Sequence, residues 1–195
     1  MIINDSFPKF DLPIDFIADD SITGDILNYY SNFPCKIKAG VFVLCTEGMV
    51  KATINLLEVV IRKNDFIVVL PNSFIQIHEV SSDTRISFAG FSSDFMLSGN
   101  YVEILLDFMP MILNSPVISL QEDVAGLYRN VYLLLIRAYT LPHSLENKEI
   151  IRSVLAIFLQ GTKELYKRYG KKLDEPLRRE QELYRQFIQL LMVHY

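Results

Sequence analysis

The chain has 195 residues, half of them apolar and 22% charged, with a formal net charge of −4. That composition supports a sizeable core and excludes a disordered chain, while the longest apolar runs, such as 131–136, fall far below the roughly 20 residues of a membrane-spanning helix. Acidic side chains outnumber basic ones 18 to 11 over residues 1–162, whereas residues 163–195 carry eight basic against five acidic, so only the tail could approach nucleic acid.

The opening Met1-Ile2-Ile3-Asn4-Asp5 lacks the basic start of a secretory signal, and a cytoplasmic protein is expected. Residues 1–25 read as an arm. Pro8 and Pro13 remove ladder donors and restrict the residues before them, so long regular structure is not expected there. Phe7, Phe10 and Phe16, interleaved with six aspartates, imply that the arm docks on something.

From about Asp25 to Phe91 the period is two. Val41, Val43 and Cys45 alternate with Phe42, Leu44 and Thr46; Val50, Ala52 and Ile54 alternate with Lys51, Thr53 and Asn55; Leu57, Val59 and Ile61 alternate with Glu58, Val60 and Arg62. Residues 66–70 are apolar on both faces and suit a strand covered on both sides, and further strands follow over 74–80 and 85–91. Six or more short strands, broken at Glu47-Gly48, Asn64-Asp65 and Pro71-Asn72, predict a closed or sandwiched antiparallel sheet.

Near Asn100 the period changes to that of a helix. Tyr101, Ile104, Leu105, Phe108, Met109 and Ile112 form one face. Ser119-Leu120-Gln121-Glu122 reads as a capping box opening a second helix, which Leu141-Pro142 stops. A third helix starts near Ser144 or Asn147 and ends at Gly170, suited to the left-handed position past a helix end. After a polar linker, Glu175-Pro176 opens a fourth helix carrying Leu183, Tyr184, Phe187, Ile188, Leu190, Leu191 and Tyr195. Its last turns are apolar and uncapped, so it either packs on another subunit or continues into a longer chain, and the second is expected.

The cadence of strands and turns over 41–80 resembles the small β-barrels of the cupin type, in which two glycine-containing turns frame the strand that carries a metal-binding histidine. Laid on that pattern, the histidine position falls at Ile75, the glutamate position at Val41, and the paired histidines within 34–37. None of these residues binds a cation, so the resemblance implies a barrel without metal. No cofactor is expected.

The order of acidic arm, cupin-like barrel, helices, basic linker and a helix containing Phe187, Leu190, Leu191, His194 and Tyr195 resembles the AraC family of transcriptional regulators, whose DNA-binding domain commonly opens with Phe-x-x-Leu-Leu-x-x-His-Tyr. The resemblance implies an α+β chain: arm 1–25, an antiparallel cupin-like β-barrel (jelly roll) over 26–98, a helical dimerisation region over 99–170, and 171–195 leading to a DNA-binding domain that these residues do not contain. It further implies a small-molecule effector in or at the barrel, an arm that folds over the pocket or the DNA-binding domain, and a homodimer paired through the third helix. DNA would be reached only through that further domain, and no membrane contact is expected.

Within that frame, Val41, Val43, Cys45, Ile75 and Ile77, with Phe66, Val68 and Phe88 nearby, are the candidate ligand-binding interior. The same side chains equally describe a barrel filled by its own core. Lys36, Lys38 and Arg85, at strand ends, are candidates to meet an anionic group. Ile151, Leu155, Phe158, Thr162 and Leu165 follow coiled-coil-like spacing and are the candidate dimer residues, although a helix packed on its own barrel has the same pattern. His78 should point outward, while His143 and His194 have no partner at ligand spacing. No GxSxG, Walker loop, GxGxxG or HExxH occurs, and no catalytic residue is assigned. The rival readings are a metal-dependent cupin enzyme, such as a dioxygenase or isomerase, and an assembly module without a ligand.

Overall fold

The structure is a computed structural model that describes residues 9, 10, 12, 14–29, 31, 33–97, 101–140 and 148–169, together with 179, 183 and 186. Two five-stranded sheets stack face to face, and helices cover the outer face of one of them. In chain order the elements are β1 (Lys9–Phe10), β2 (Phe16–Thr23), α1 (Gly24–Tyr29), β3 (Cys35–Ile37), β4 (Gly40–Glu47), β5 (Met49–Ile54), β6 (Leu57–Arg62), β7 (Asp65–Val69), β8 (Ser73–Val80), β9 (Arg85–Phe91), α2 (Ser93–Leu97), α3 (Tyr101–Asn114), β10 (Val117–Ser119), α4 (Glu122–Thr140) and α5 (Lys148–Tyr169).

The first sheet runs β1-β3-β8-β5-β6 and the second β10-β7-β4-β9-β2. Every pairing is antiparallel except β1 with β3. The chain is thus α+β. Its turns follow from residue type: Gly48, Asn64 and Asn72 hold positive φ where the sequence predicted breaks. Asn55 and Leu56, with φ of 48° and 70°, close a two-residue hairpin between β5 and β6.

Alternation along the strands separates two cores. Val50, Ala52, Ile54 and Ile61 of the first sheet meet Cys45, Ile67, Val69 and Ile86 of the second between the layers. On the other side of the second sheet, Phe42, Leu44, Phe66, Val68 and Phe91 pack under α3, α4 and α5. Strand β7 is buried along its whole length because it serves both cores.

Four sequence expectations change. Residues 16–23, expected within an irregular arm, form a strand on β9, because both prolines precede it and Phe16 and Ala18 alternate inward. Residues 24–29, expected as extended chain, form α1. Strand β10, which lies in sequence beyond the strands expected to end at 91, pairs with β7. The capping box does not form: Ser119 ends β10 and its hydroxyl donates to Asp65 at 2.6 Å, while Glu122 accepts from Asn64 and Arg129. Tertiary partners outcompete the local cap.

The helical face of α3 is as expected, with Tyr101, Leu105, Phe108, Met109 and Ile112 buried. Gly170, His143, His194, the linker and the motif Phe187, Leu190, Leu191, His194 and Tyr195 lie outside the described residues. Among the described residues no helix is long and apolar enough to cross a membrane.

Candidate functional site

The register of the second sheet decides which side chains face the space between the layers. Val41 pairs with Val69 and Gly90, and Val43 with Ile67 and Phe88. Those rows continue onto β2, where Ile17 faces Gly90 and Asp19 faces Phe88. From the first sheet, Ile75 and Ile77 face the same space, on β8 beside Ile54 and Ala52. Six of the eight candidate ligand residues are therefore brought together: Val41, Val43, Cys45, Ile75, Ile77 and Phe88.

Phe66 and Val68 are placed on the opposite face of β7, among the helices. Ile67 and Val69 stand where they were expected, since a strand apolar on both faces gives no alternation by which to choose. The residues that sequence reasoning missed, Ile17, Ile67, Val69 and Gly90, become visible only through their cross-strand partners.

Depth within this space is uneven. Cys45 is fully buried, as are Ile67 and Val69, whereas Val41, Val43, Ile75, Ile77 and Phe88 are only half-buried. An interior apolar side chain that still meets solvent marks an open end of the sandwich. The arm crosses that end. It pairs with β3 in the first sheet through β1, enters the second sheet through β2, and between them buries Leu12 against Gly90. A side chain at Gly90 would meet a Leu12 methyl carbon at 3.0 Å and Ile17 Cγ2 at 3.4 Å, so the glycine makes room for the leucine.

Within the interior, the Cys45 thiol is kept un-ionised by its surroundings. Burial, reinforced by Asp65, pushes the Cys45 thiol up to about 12, and the thiol donates to the Glu47 carbonyl at 3.2 Å. A buried thiol held protonated is a weak nucleophile. Asp65, nearly buried, accepts from the Arg62 N–H at 2.7 Å and from the Ser119 hydroxyl, so it braces a turn. Among the described residues there is no group of three or more His, Cys, Asp or Glu side chains that could hold a metal ion.

His78 points outward, with a ring nitrogen 2.7 Å from the Thr53 hydroxyl. Of the strand-end cations, Lys36 lies over the Phe74 ring at 5.8 Å and Arg85 pairs with Glu47 at 3.3 Å in solvent. Lys38 follows β3, with its carbonyl accepting from Ser93.

The five candidate dimer residues lie on the face of α5 that packs into the chain's own core. Leu155, Phe158, Thr162 and Leu165 are buried and Ile151 is half-buried. The Phe158 ring centroid lies 4.9 Å from that of Phe42, 5.8 Å from Phe66, and 5.5 Å from both Tyr128 and Tyr132. Phe66 and Phe158, assigned to separate sites by sequence, are packing partners.

No protein-family model matches the chain, and no curated protein matches it. Among solved structures it is similar to ToxT from Vibrio cholerae O395 bound to (E)-4-(8-methylnaphthalen-1-yl)but-3-enoic acid, with 13% identity over 87% of this chain and 64% of that one, at a TM-score of 0.42. It is similar also to the AraC-like transcriptional activator CuxR, with 10% identity over 81% and 53%, at a TM-score of 0.45. A third similar structure is wild-type ToxT from Vibrio cholerae strain SCE256 with a bound unsaturated fatty acid, at 11% identity over 90% and 58% and a TM-score of 0.39. The chain spans less than two thirds of the length of each of these proteins.

Proposed function

We propose that this chain is the effector-sensing and dimerisation part of an AraC-type transcription regulator, that its two sheets are a cupin-like jelly roll, and that DNA binding belongs to a domain outside these 195 residues. One observation carries the reading: an interior of apolar side chains, half-buried at one end, where an arm residue is seated over a glycine. The division expected from the sequence is kept as arm, barrel, helical region and leading segment, with the arm shortened to the residues before β2.

Mechanistically, an apolar effector enters between the sheets beside Val41, Val43, Ile75, Ile77 and Phe88 and competes with Leu12 for the surface of Gly90. The arm bridges both sheets, so displacing Leu12 loosens β1 from β3. An effector that favours one arm position must thereby shift the population of whatever the arm contacts. The interior offers an effector apolar area and no reacting group, which favours binding over turnover.

A thermal-shift series tests this, using unsaturated fatty acids and an aryl-butenoic acid, the ligand types seen in ToxT. A saturable rise in melting temperature is expected, because a ligand of the folded state alone stabilises it. Val43→Phe, which fills the interior, should abolish the rise while the protein remains folded by circular dichroism. Absence of any shift across the panel, or stoichiometric metal in the purified protein, would defeat the sensing reading.

A further inference from the structure

Strand β2 is an edge of the second sheet, so its inner face stands at the rim of the space between the layers. Phe16 and Ala18 turn toward the helices, and alternation therefore turns Ile17 and Asp19 the other way. Asp19 shares a cross-strand row with Phe88 and Val43, both half-buried at the open end. At the usual strand spacing its Cα lies about 5 Å from that of Phe88 and about 10 Å from that of Val43.

A half-buried carboxylate beside apolar side chains is an arrangement that asks for a reason. Asp65 also lies on the inner face, but it is nearly buried beyond the open end and already accepts from the Arg62 N–H and the Ser119 hydroxyl. Asp19 accepts only from its own turn. The Ser21 N–H, at 2.6 Å, and the Ser21 hydroxyl, at 2.5 Å, both donate to Oδ1, and among the described residues nothing donates to Oδ2. The register of β2 on β9 slips between Asp19 and Ile22, so this turn tethers the carboxylate at the point where the edge strand bulges. No described cation pairs with it: Lys36 lies on the outer face of β3, over Phe74, and Arg85 pairs with Glu47.

We infer that the effector is an amphipathic amine, whose apolar body lies between the sheets against Val43, Ile77 and Phe88 and whose ammonium group meets Asp19 Oδ2 at the rim. The inference rests on the sensing reading proposed above and adds the chemical class of the ligand. An uncompensated carboxylate attracts a cationic head group and repels an anionic one, so it discriminates by both terms at once. An acid of equal length still binds, but through its tail alone. An amine without a tail gains no apolar burial and is not held.

Thermal shift of the full chain at pH 7 with decylamine and decanoic acid tests this, since the two share a chain and carry opposite charges. Both should raise the melting temperature, and decylamine should half-saturate at a concentration about tenfold lower, the scale of one ion pair gained against one like-charge contact. Ethylamine should give no rise. Raising the ionic strength to about 1 M, where charges are screened beyond about 3 Å, should narrow the preference.

Asp19→Asn keeps an oxygen for Ser21 and removes the charge, so it should abolish the preference for the amine with an unchanged circular dichroism spectrum. Asp20→Asn, which removes the neighbouring exposed carboxylate and changes net charge equally, should leave the preference intact. Equal binding of amine and acid, or a preference that survives Asp19→Asn, overturns the inference and leaves sensing standing. If Asp19→Asn does not fold, a wild-type preference indifferent to salt overturns it in the same way. No rise with either compound, nor with the acids named above, overturns sensing and the inference together.

Discussion

Leu56 holds a φ of 70° in the tight hairpin between β5 and β6 and is 62% exposed, so its side chain gains little packing for a backbone conformation that suits glycine. Leu56→Gly should therefore stabilise the fold by about 1 kcal/mol, read from the midpoint of urea unfolding; a loss of stability would show that the leucine is held by packing. Cys45 presents the opposite case, a residue whose surroundings remove its chemistry. With its thiol pushed up to about 12 by burial, it should resist Ellman's reagent in the native state, while half-buried Cys35 reacts. Two thiols titrating at equal rates before unfolding would contradict that placement. The sequence alone could not rank the two cysteines, because depth depends on which sheets close over a strand.

Between elements, the turn at Asn64-Asp65 ties the sheets to α4. Asp65 bonds the Arg62 N–H and the Ser119 hydroxyl, and Asn64 donates to Glu122, which also receives Arg129 at 2.6 Å. Asp65→Ala leaves the Arg62 N–H and the Ser119 hydroxyl without their common acceptor and should cost about 3 kcal/mol, with Asp65→Asn costing less, by chemical denaturation. Glu122 supplies the pH dependence of the same tie. The Asn64 amide, and then Arg129, hold its carboxyl below the ordinary value of 4.5.

A depressed carboxyl contributes stability at pH above the ordinary range, and that contribution is withdrawn as acid takes the pH down through 4.5 and below. Melting temperatures recorded from pH 7 downward should fall less steeply for Glu122→Gln than for wild type; parallel curves would exclude the tie as a source of acid sensitivity. The residues of this tie read in sequence as a turn and a capping box. The turn forms, whereas the box yields to partners 54 and 58 residues away along the chain that no local pattern announces.

For the molecule as a whole, α5 is anchored through Phe158, whose ring meets Phe42 and Phe66 of the second sheet and Tyr128 and Tyr132 of α4. Phe158→Ala should lower monomer stability by about 4 kcal/mol, as large-to-small changes in packed cores do, with greater exposure of apolar surface to a dye such as ANS. A residue that served a dimer seam alone would change association and leave the unfolding of the monomer unaltered, so the two roles separate in one experiment.

The sequence by itself determined the kind of strands β4 to β9 and of helices α3 to α5: period two in the strands, period 3.6 in the helices, and glycine and asparagine at the turns. These depend on neighbours a few residues apart, which the chain carries in its own order. Only the tertiary structure decided which face of β7 meets the helices, that Leu12 seats on Gly90, and that Leu155 and Phe158 turn toward their own sheet while Leu127 and Leu134 turn away from it. A strand or helix that is apolar on more than one side can satisfy its periodicity in several ways, and the choice among them is made by register and burial against distant segments, where apolar area is removed from water.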